Sequence, residues 1–345
     1  ADADAICRVR KIIERDSERR FIVVSAPGKR NSSDDKITDL LYGCYDDIVS
    51  KGNCAERFSR VAERFIGIAK KFSLKTDIEA LLNDVSLQMI TKRSRAFCAS
   101  RGEYISARLL SDILGFEFVD AATIIRFTGN GKPDFNATKR IIGKKLRKSP
   151  NAVIPGFYGA DVAGNCFTFS RGGSDITGAL VAASSESDIY ENWTDVDGVL
   201  SADPKTIDNP AFLDIITYSE LKYLSAFGAS VLHEDALLPV RQLGIPVHIR
   251  NTGNPGGAGT MIVSQREMPR AFVGVSGRGG FSRIAVSKEK IGRSSTDMRE
   301  IFELFSRKKT DIILAAAEPD GLFIITEAES GKAGPTCCST KYVSS

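Results

Sequence analysis

The chain has 345 residues, room for about two domains of ~150 residues each, and is 42% hydrophobic and 26% charged. Such a composition supports a sizeable packed core and excludes a disordered or fibrous chain. The net charge of +4 is small for this length, and no basic stripe with interleaved aromatics appears, so no nucleic-acid partner is expected.

Ala5 to Arg15 reads as a helix, with Ile6, Val9 and Ile13 on one face. Phe21 to Ser25 is a buried strand, followed by a polar loop from Ala26 to Lys36 and a helix carrying Ile37, Leu40, Leu41, Cys44 and Ile48. Further helix is expected over residues 55–98 with a break near Ser73, and Gly102 is expected to open another, with Glu103 in its first turn. Phe116 to Asp120 is a strand, Thr123 to Phe127 a candidate strand, and 136–148 a basic helix whose cations are expected to be solvated. Strands at Ala152–Pro155 and Cys166–Phe169 precede a small-residue helix from about Ser174 to Ser185. A strand at Asp188–Asn192, two helices within 217–243 and strands at Val247–Arg250 and Thr260–Val263 complete this part.

The alternation predicts an α/β fold, a mainly parallel sheet sandwiched by helices. A boundary is expected near residue 265, giving regions 1–265 and 266–345. In the second, Ala271–Ser276, Phe281–Ser287 and Gly321–Glu327 read as strands and Thr296–Arg307 as a helix.

No apolar run reaches the roughly 18 residues of a membrane span, and none looks like a leader peptide, so no membrane association is expected. Cys7, Cys44, Cys54, Cys98, Cys166, Cys337 and Cys338 are odd in number and scattered. This argues against a zinc site or disulfide framework and for a reducing, cytoplasmic setting. The two histidines, His233 and His248, fall in helix-like and strand-like patterns and are expected to be structural.

Neither a Walker-type phosphate loop nor the protein-kinase signatures are found. Ligands on open α/β sheets sit at the carboxyl ends of strands, which here means the loops after Ser25, Pro155, Ser170 and Trp193. Arg171-Gly-Gly-Ser-Asp175 ends a strand and opens a helix. Unpaired N–H groups and the positive dipole end favour an anion there. Gly172 and Gly173 would admit it, Arg171 would add a fork for carboxylate or phosphate, and Ser174 or Asp175 could cap the helix. Taken alone, the same run is also a capped turn. Asp195, Asp197 and Asp203 follow another strand; they could attract Mg²⁺, hydrogen-bond a ribose, or form a solvated loop.

In this order, six segments resemble the amino-acid kinase family and, within it, the aspartate kinases. They are Phe21-Ile-Val-Val-Ser-Ala-Pro-Gly-Lys29, Gly102-Glu-Tyr-Ile-Ser106, Val153-Ile-Pro-Gly-Phe-Tyr-Gly159, Ser170-Arg-Gly-Gly-Ser-Asp175, Thr194-Asp-Val-Asp-Gly198 with Ala202-Asp-Pro-Lys205, and Phe227-Gly-Ala-Ser-Val-Leu-His233. The resemblance covers about residues 1–265 and implies the amino-acid kinase fold and the reaction of ATP, with Mg²⁺, and L-aspartate to ADP and 4-phospho-L-aspartate. That reaction heads the route to lysine, threonine and methionine. It also implies roles. Arg171 would bind a substrate carboxylate and Glu103 its ammonium, with Thr38 and Ser174 as further contacts. Asp175 would orient the transferring groups. Ser25, Thr194, Asp195, Leu200, Lys205 and Ser230 would line the nucleotide site, and no residue is assigned as a metal ligand.

Family members open with a strand and a Lys-Phe-Gly-Gly-Ser-Ser loop; both are missing from this sequence, which begins at what resembles the segment after them. Ser230 stands where a lysine is common, and Leu200 where an aromatic residue is. The end of the chain resembles a small α+β ACT-type module, expected to be incomplete, which implies allosteric control by lysine or threonine and a homodimer. The alternatives are a relative acting on another acid, such as N-acetylglutamate or UMP, and a non-catalytic amino-acid sensor.

Overall fold

The computed structural model describes residues 2–327 apart from Arg171, 227–231, His233, 268–271, Arg278, Lys288 and Pro319. It divides into two units, Ala1–Ser276 and Gly277–Ser345. The first unit therefore runs past the boundary expected at 265, because the segment after the last strand stays attached to it: Val275 N–H donates to Ser201 O (2.7 Å) and Val273 packs on the core. Residues 272–276 are accordingly not the strand expected there.

The first unit opens with α1 (Ala3–Glu14), capped by the Asp2 carboxylate on Ala5 N–H (2.9 Å). After β1 (Phe21–Val24) come four helices, α2 (Ile37–Lys51), α3 (Ala55–Ala69), α4 (Ile78–Lys92) and α5 (Arg95–Leu114). Their apolar faces meet in a core that includes Ile37, Leu41, Phe65, Val85 and Met89, all fully buried.

The expectation that Gly102 opens a helix is corrected. The helix starts at Arg95, behind the N-cap Ser94, whose hydroxyl accepts from Phe97 N–H (3.3 Å), and Gly102 lies within it. Glycine is there for packing. A Cβ added to it would stand 2.8 Å from Ala26 Cβ and 3.0 Å from Ile37 Cγ2. Glu103 is thus a mid-helix residue rather than a first-turn acid.

The chain continues through β2 (Glu117–Phe118), α6 (Ala121–Ile124), α7 (Phe135–Leu146) and β3 (Ala152–Pro155). Thr123 to Phe127 is not the strand it resembled. Asp120 caps α6 through Ala122 N–H (2.9 Å), and only single bridges follow, Arg126 to Ala160 and Phe127 to Pro133. A short antiparallel pair, β4 (Tyr158–Ala160) and β5 (Cys166–Thr168), leads to α8 (Gly173–Ser184) and β6 (Tyr190–Thr194). Then come β7 (Val199–Leu200), β8 (Phe212–Leu213), β9 (Ile215–Thr217), α9 (Tyr218–Ala226), α10 (Leu238–Arg241), β10 (Val247–Asn251) and β11 (Thr260–Val263).

Two sheets result. In the first, β3 lies between β1 and β2, both parallel to it, with Phe21 opposite Ala152 and Val24 opposite Pro155. Every residue of β3 is buried. Val153 packs toward Ala107 and Leu110 of α5 and Ile13 of α1, whereas Ala152 and Ile154 pack toward α7 and α8 through Ile142, Leu146, Leu180 and Val181. Side chains alternate along a strand, so two helical layers enclose it, and each buried Val or Ile contributes about 1.5–3 kcal/mol. The second sheet has the order β6-β10-β11-β9. Its pairs are parallel except β10–β11.

The second unit contains β12 (Phe281–Ser287), α11 (Ser295–Arg307), β13 (Ile312–Glu318) and β14 (Gly321–Glu327). β14 lies between β12 and β13, antiparallel to both, and the Ser294 hydroxyl caps α11 through Asp297 N–H (3.2 Å). The alanine-rich run of β13 was not legible as a strand. Cys337 and Cys338 lie outside the described residues.

Candidate active site

The parallel strands β1 and β3 leave the sheet side by side, with Gly156 N–H donating to Val24 O (2.9 Å). The polar loop after β1 is gripped from α3 by Arg64, whose side chain is buried. Its Nη1 donates to Asp35 O (2.9 Å) and its Nη2 to Gly28 O (2.5 Å). It also lies 3.4 Å from Asp34 Oδ2, which takes hydrogen bonds from Arg30 N–H and Nε (3.0 Å each). The Arg30 hydrogen bonds hold the Asp34 carboxyl far below the usual carboxylate range.

Glu103 reaches this loop from α5. Its Oε1 accepts from Ala26 N–H (3.2 Å), while its Oε2 is buried without a hydrogen-bond partner. The residue is only 5% exposed. Burial is the leading influence on its acidity and pushes its pKa up to about 7, although the Ala26 hydrogen bond and the Arg101 charge act the other way. The packing at Gly102 holds the start of α2 against this same turn of α5, and Thr38 lies half-buried in the first turn of α2. Arg101, beside Glu103, is buried among Phe97, Tyr104 and Tyr158, with 4.0, 4.6 and 5.1 Å from its guanidinium carbon to the ring centroids.

The end of β3 presses on the first turn of α8. A Cβ on Gly156 would meet Ser174 Oγ at 2.5 Å and Ser174 Cα at 2.8 Å; one on Gly173 would meet Phe157 Cδ2 at 2.7 Å. Phe157 N–H donates to Thr177 Oγ1 (3.2 Å). The amino end of α8, with its unpaired N–H groups, is thereby fixed beside the carboxyl ends of β1 and β3. Gly156→Ala is expected to destabilise the protein by about 1–3 kcal/mol, because backbone as well as side chain must move; urea unfolding measures this.

The capping expected of Ser174 or Asp175 is corrected. The N-cap of α8 is Gly172, in the left-handed region at φ 57°, and no side chain caps the helix. Ser174 and Asp175 instead lie inside the first turn, with their side chains available for other contacts. Asp175 Oδ1 accepts from Asn192 Nδ2 on β6 (2.9 Å). Burial raises the Asp175 pKa, and the Asn192 hydrogen bond opposes that rise.

Alternation along β6 separates two sets of side chains. Glu191 accepts from Arg19 Nε (2.6 Å), Trp193 Nε1 (3.1 Å) and Arg250 Nη1 (3.3 Å), which ties β6 to β10 and to the segment before β1. Tyr190, Asn192 and Thr194 belong to the other face. At the end of β6, Thr194 O accepts from Thr252 N–H (2.9 Å) and Thr194 Oγ1 donates to Asp195 Oδ1 (3.2 Å).

In the acidic loop that follows, Asp197 Oδ1 accepts from Asn251 and Asn254 Nδ2 (3.1 Å each), and Asp203 Oδ1 from Lys205 N–H (2.9 Å). Two of the three acids therefore brace the loop. No group of three or more His, Cys, Asp or Glu among the described residues could hold a metal ion.

The structure thus brings Glu103, Ser174 and Asp175 to strand ends and helix starts around β1, β3 and β6. Ser25 is exposed at the end of β1, Asp195 and Lys205 are exposed beyond β6, and Leu200 is half-buried in β7, paired with Phe212. Arg171 and Ser230 lie outside the described residues, as does His233. The anchors Arg64, Tyr190 and Asn192 were missed; a polar asparagine inside an aromatic strand was the one available signal.

The profile of the amino acid kinase family matches residues 1–251. The chain belongs to the amino acid kinase family. Over 304 residues it is 35% identical to aspartokinase 3 of Bacillus subtilis, covering 83% of this chain and 66% of that protein. It is 26% identical to the lysine-sensitive aspartokinase 3 of Escherichia coli over 341 residues, 91% of this chain and 73% of that protein. Among solved structures, Clostridium acetobutylicum aspartate kinase is similar with a TM-score of 0.86 at 36% identity, covering 95% of this chain and 75% of that one. The chain spans about two thirds of the length of the Bacillus relative.

Proposed function

We propose that this protein transfers the γ-phosphoryl group of ATP to the side-chain carboxylate of L-aspartate, giving ADP and 4-phospho-L-aspartate, the first step toward lysine, threonine and methionine. The single observation that carries the substrate assignment is the buried Glu103 Oε2, which has no partner and suits an ammonium group. Similarity to aspartokinases over most of the chain supports the reaction.

The aspartate carboxylate is ionised at neutral pH and needs no general base. One of its oxygens bonds to the γ-phosphorus in line as the bond to the β,γ-bridging oxygen breaks, and ADP leaves with that oxygen. Catalysis then rests on positioning and charge neutralisation. Glu103 holds the ammonium, Arg171 a carboxylate, and Thr38 and Ser174 add hydrogen bonds. Asp175 orients the transferring groups. Ser25, Thr194, Asp195, Leu200, Lys205 and Ser230 form the nucleotide side. Mg²⁺ fits as an ion carried in by the phosphates, since the described residues offer no ready cage for it.

The full-length protein incubated with ATP, Mg²⁺, L-aspartate and hydroxylamine is expected to form aspartyl hydroxamate. Hydroxamate from another acid but not from aspartate would overturn the assignment. Arg171→Ala is expected to raise the KM for aspartate by roughly ten- to a hundredfold, as loss of a charge-assisted hydrogen bond does, while the KM for ATP changes little.

In this reading the unit Ala1–Ser276 is catalytic and the unit Gly277–Ser345 regulatory. The lysine sensitivity named for the Escherichia coli relative makes lysine the first effector to test, with threonine second, and light scattering reads the expected homodimer. A cytoplasmic location accords with free thiols at Cys7, Cys44, Cys54, Cys98 and Cys166. No helix among the described residues is long and apolar enough to cross a membrane.

A further inference from the structure

We propose that Asn192, seated by Tyr190, is the positioning residue that fixes Asp175 for phosphoryl transfer, an inference that rests on the role given to Asp175 above.

Asparagine is disfavoured within strands, yet Asn192 is the central residue of β6. Its amide nitrogen has two hydrogens, and both are placed: one goes to Asp175 Oδ1 (2.9 Å), the other to Tyr190 OH (3.1 Å). The phenol in turn donates to the main-chain oxygen of Asp175 (3.4 Å). Asp175 is therefore held at both its side chain and its backbone from a single strand.

The arrangement also has a sense of direction. Were the amide turned over, its oxygen would face the carboxylate, so the network favours an ionised Asp175. Room for the phenol comes from Gly178, one turn further along α8, where a Cβ would stand 2.5 Å from Tyr190 OH. Asn192, Tyr190 and Gly178 are three separate residue choices that converge on one carboxylate. With Oδ1 engaged, Oδ2 is the atom left to orient the transferring groups.

Among the described residues, few other groups influence this carboxylate. β1, which packs on α8, has only Phe, Ile and Val side chains. Among the described residues no charged side chain of α7 or α10 shifts the titration of Asp175; burial and Asn192 are its influences there, and the Tyr190 phenol is its titratable neighbour. Asn192 is the influence that lowers the Asp175 ionisation among the described residues, so removing its donor should move that ionisation upward.

The experiment is the pH profile of kcat for aspartate phosphorylation by the full-length protein and its variants. Asn192→Leu removes the donor at similar volume, and the acid limb is expected to rise by about one pH unit, with either KM changed by less than about threefold. Asn192→Asp is isosteric but places a second carboxylate against the first, so the limb is expected to rise further. Tyr190→Phe is expected to give a smaller shift in the same direction, and it keeps the test open should either Asn192 variant fail to fold.

A merely structural role predicts lower kcat with an unmoved limb and the mildest effect for Asn192→Asp. That result would overturn the inference. Wild-type protein that makes no phosphoaspartate would instead overturn the reading on which it rests.

Discussion

Glu103→Gln is expected to raise the KM for aspartate by roughly ten- to 150-fold, corresponding to about 1.5–3 kcal/mol for a charge-assisted contact, while kcat falls less. Glutamine keeps the shape and the Ala26 contact but cannot neutralise an ammonium. The pH dependence gives a second signature. With its pKa at about 7, Glu103 is largely protonated in the free protein below neutrality. An arriving ammonium favours the ionised form, so binding should release a proton near pH 6.5. Calorimetry in two buffers of different ionisation enthalpy reads this proton directly, and Glu103→Gln should abolish it.

The same group sets a stability trend in the free protein. Its folded pKa is raised, so its contribution is fully present below the ordinary glutamate value and is lost as pH rises through about 7. The full span is on the order of 3 kcal/mol. Urea unfolding at acid and alkaline pH should show the loss in the wild type and not in Glu103→Gln. Saturating aspartate should offset it.

Asp175→Ala is expected to lower kcat by roughly 10²–10³-fold, the scale for removing one preorganised electrostatic group, with smaller changes in either KM. The difference from Glu103 follows from position. Glu103 lies deep beside the loop after β1, where a substrate's fixed charge would rest, and Asp175 lies at the start of α8, where the transferring group would meet helix N–H groups. Steady-state kinetics with both substrates varied separates the two. An equal rise in both KM values with kcat unchanged would remove Asp175 from the reacting centre.

Much of this was legible in the sequence, for identifiable reasons. β3 announced itself through a short apolar run, because a strand buried on both faces has no polar side to show; β1, expected to be buried, is the half-buried edge strand beside it. Glu103, Ser174 and Asp175 were picked out because they follow glycines that read as helix starts, which holds for α8 and not for α5. Their local settings were less legible. Gly102 resembled a helix start, but its cause is the approach of Ala26 and Ile37, far away in sequence. Ser174 and Asp175 resembled caps, yet Gly172 takes the cap position and leaves them free for other contacts. For Asp197 the sequence left a Mg²⁺ contact, a ribose contact and a solvated loop open, and in the structure it receives the amides of Asn251 and Asn254. In each case the deciding partner is tertiary, and residue type alone does not reveal it.

The Arg64 contacts bear on the order of assembly. Ala26 and the buried Pro27 anchor only the first residues of the loop after β1; the guanidinium that organises the polar remainder is that of Arg64, 36 residues beyond Gly28. Closing that separation costs chain entropy before any contact rewards it. The final shape of the polar part of the loop therefore depends on the docking of α3, which ties one wall of the site to the packing of the helical layer behind it.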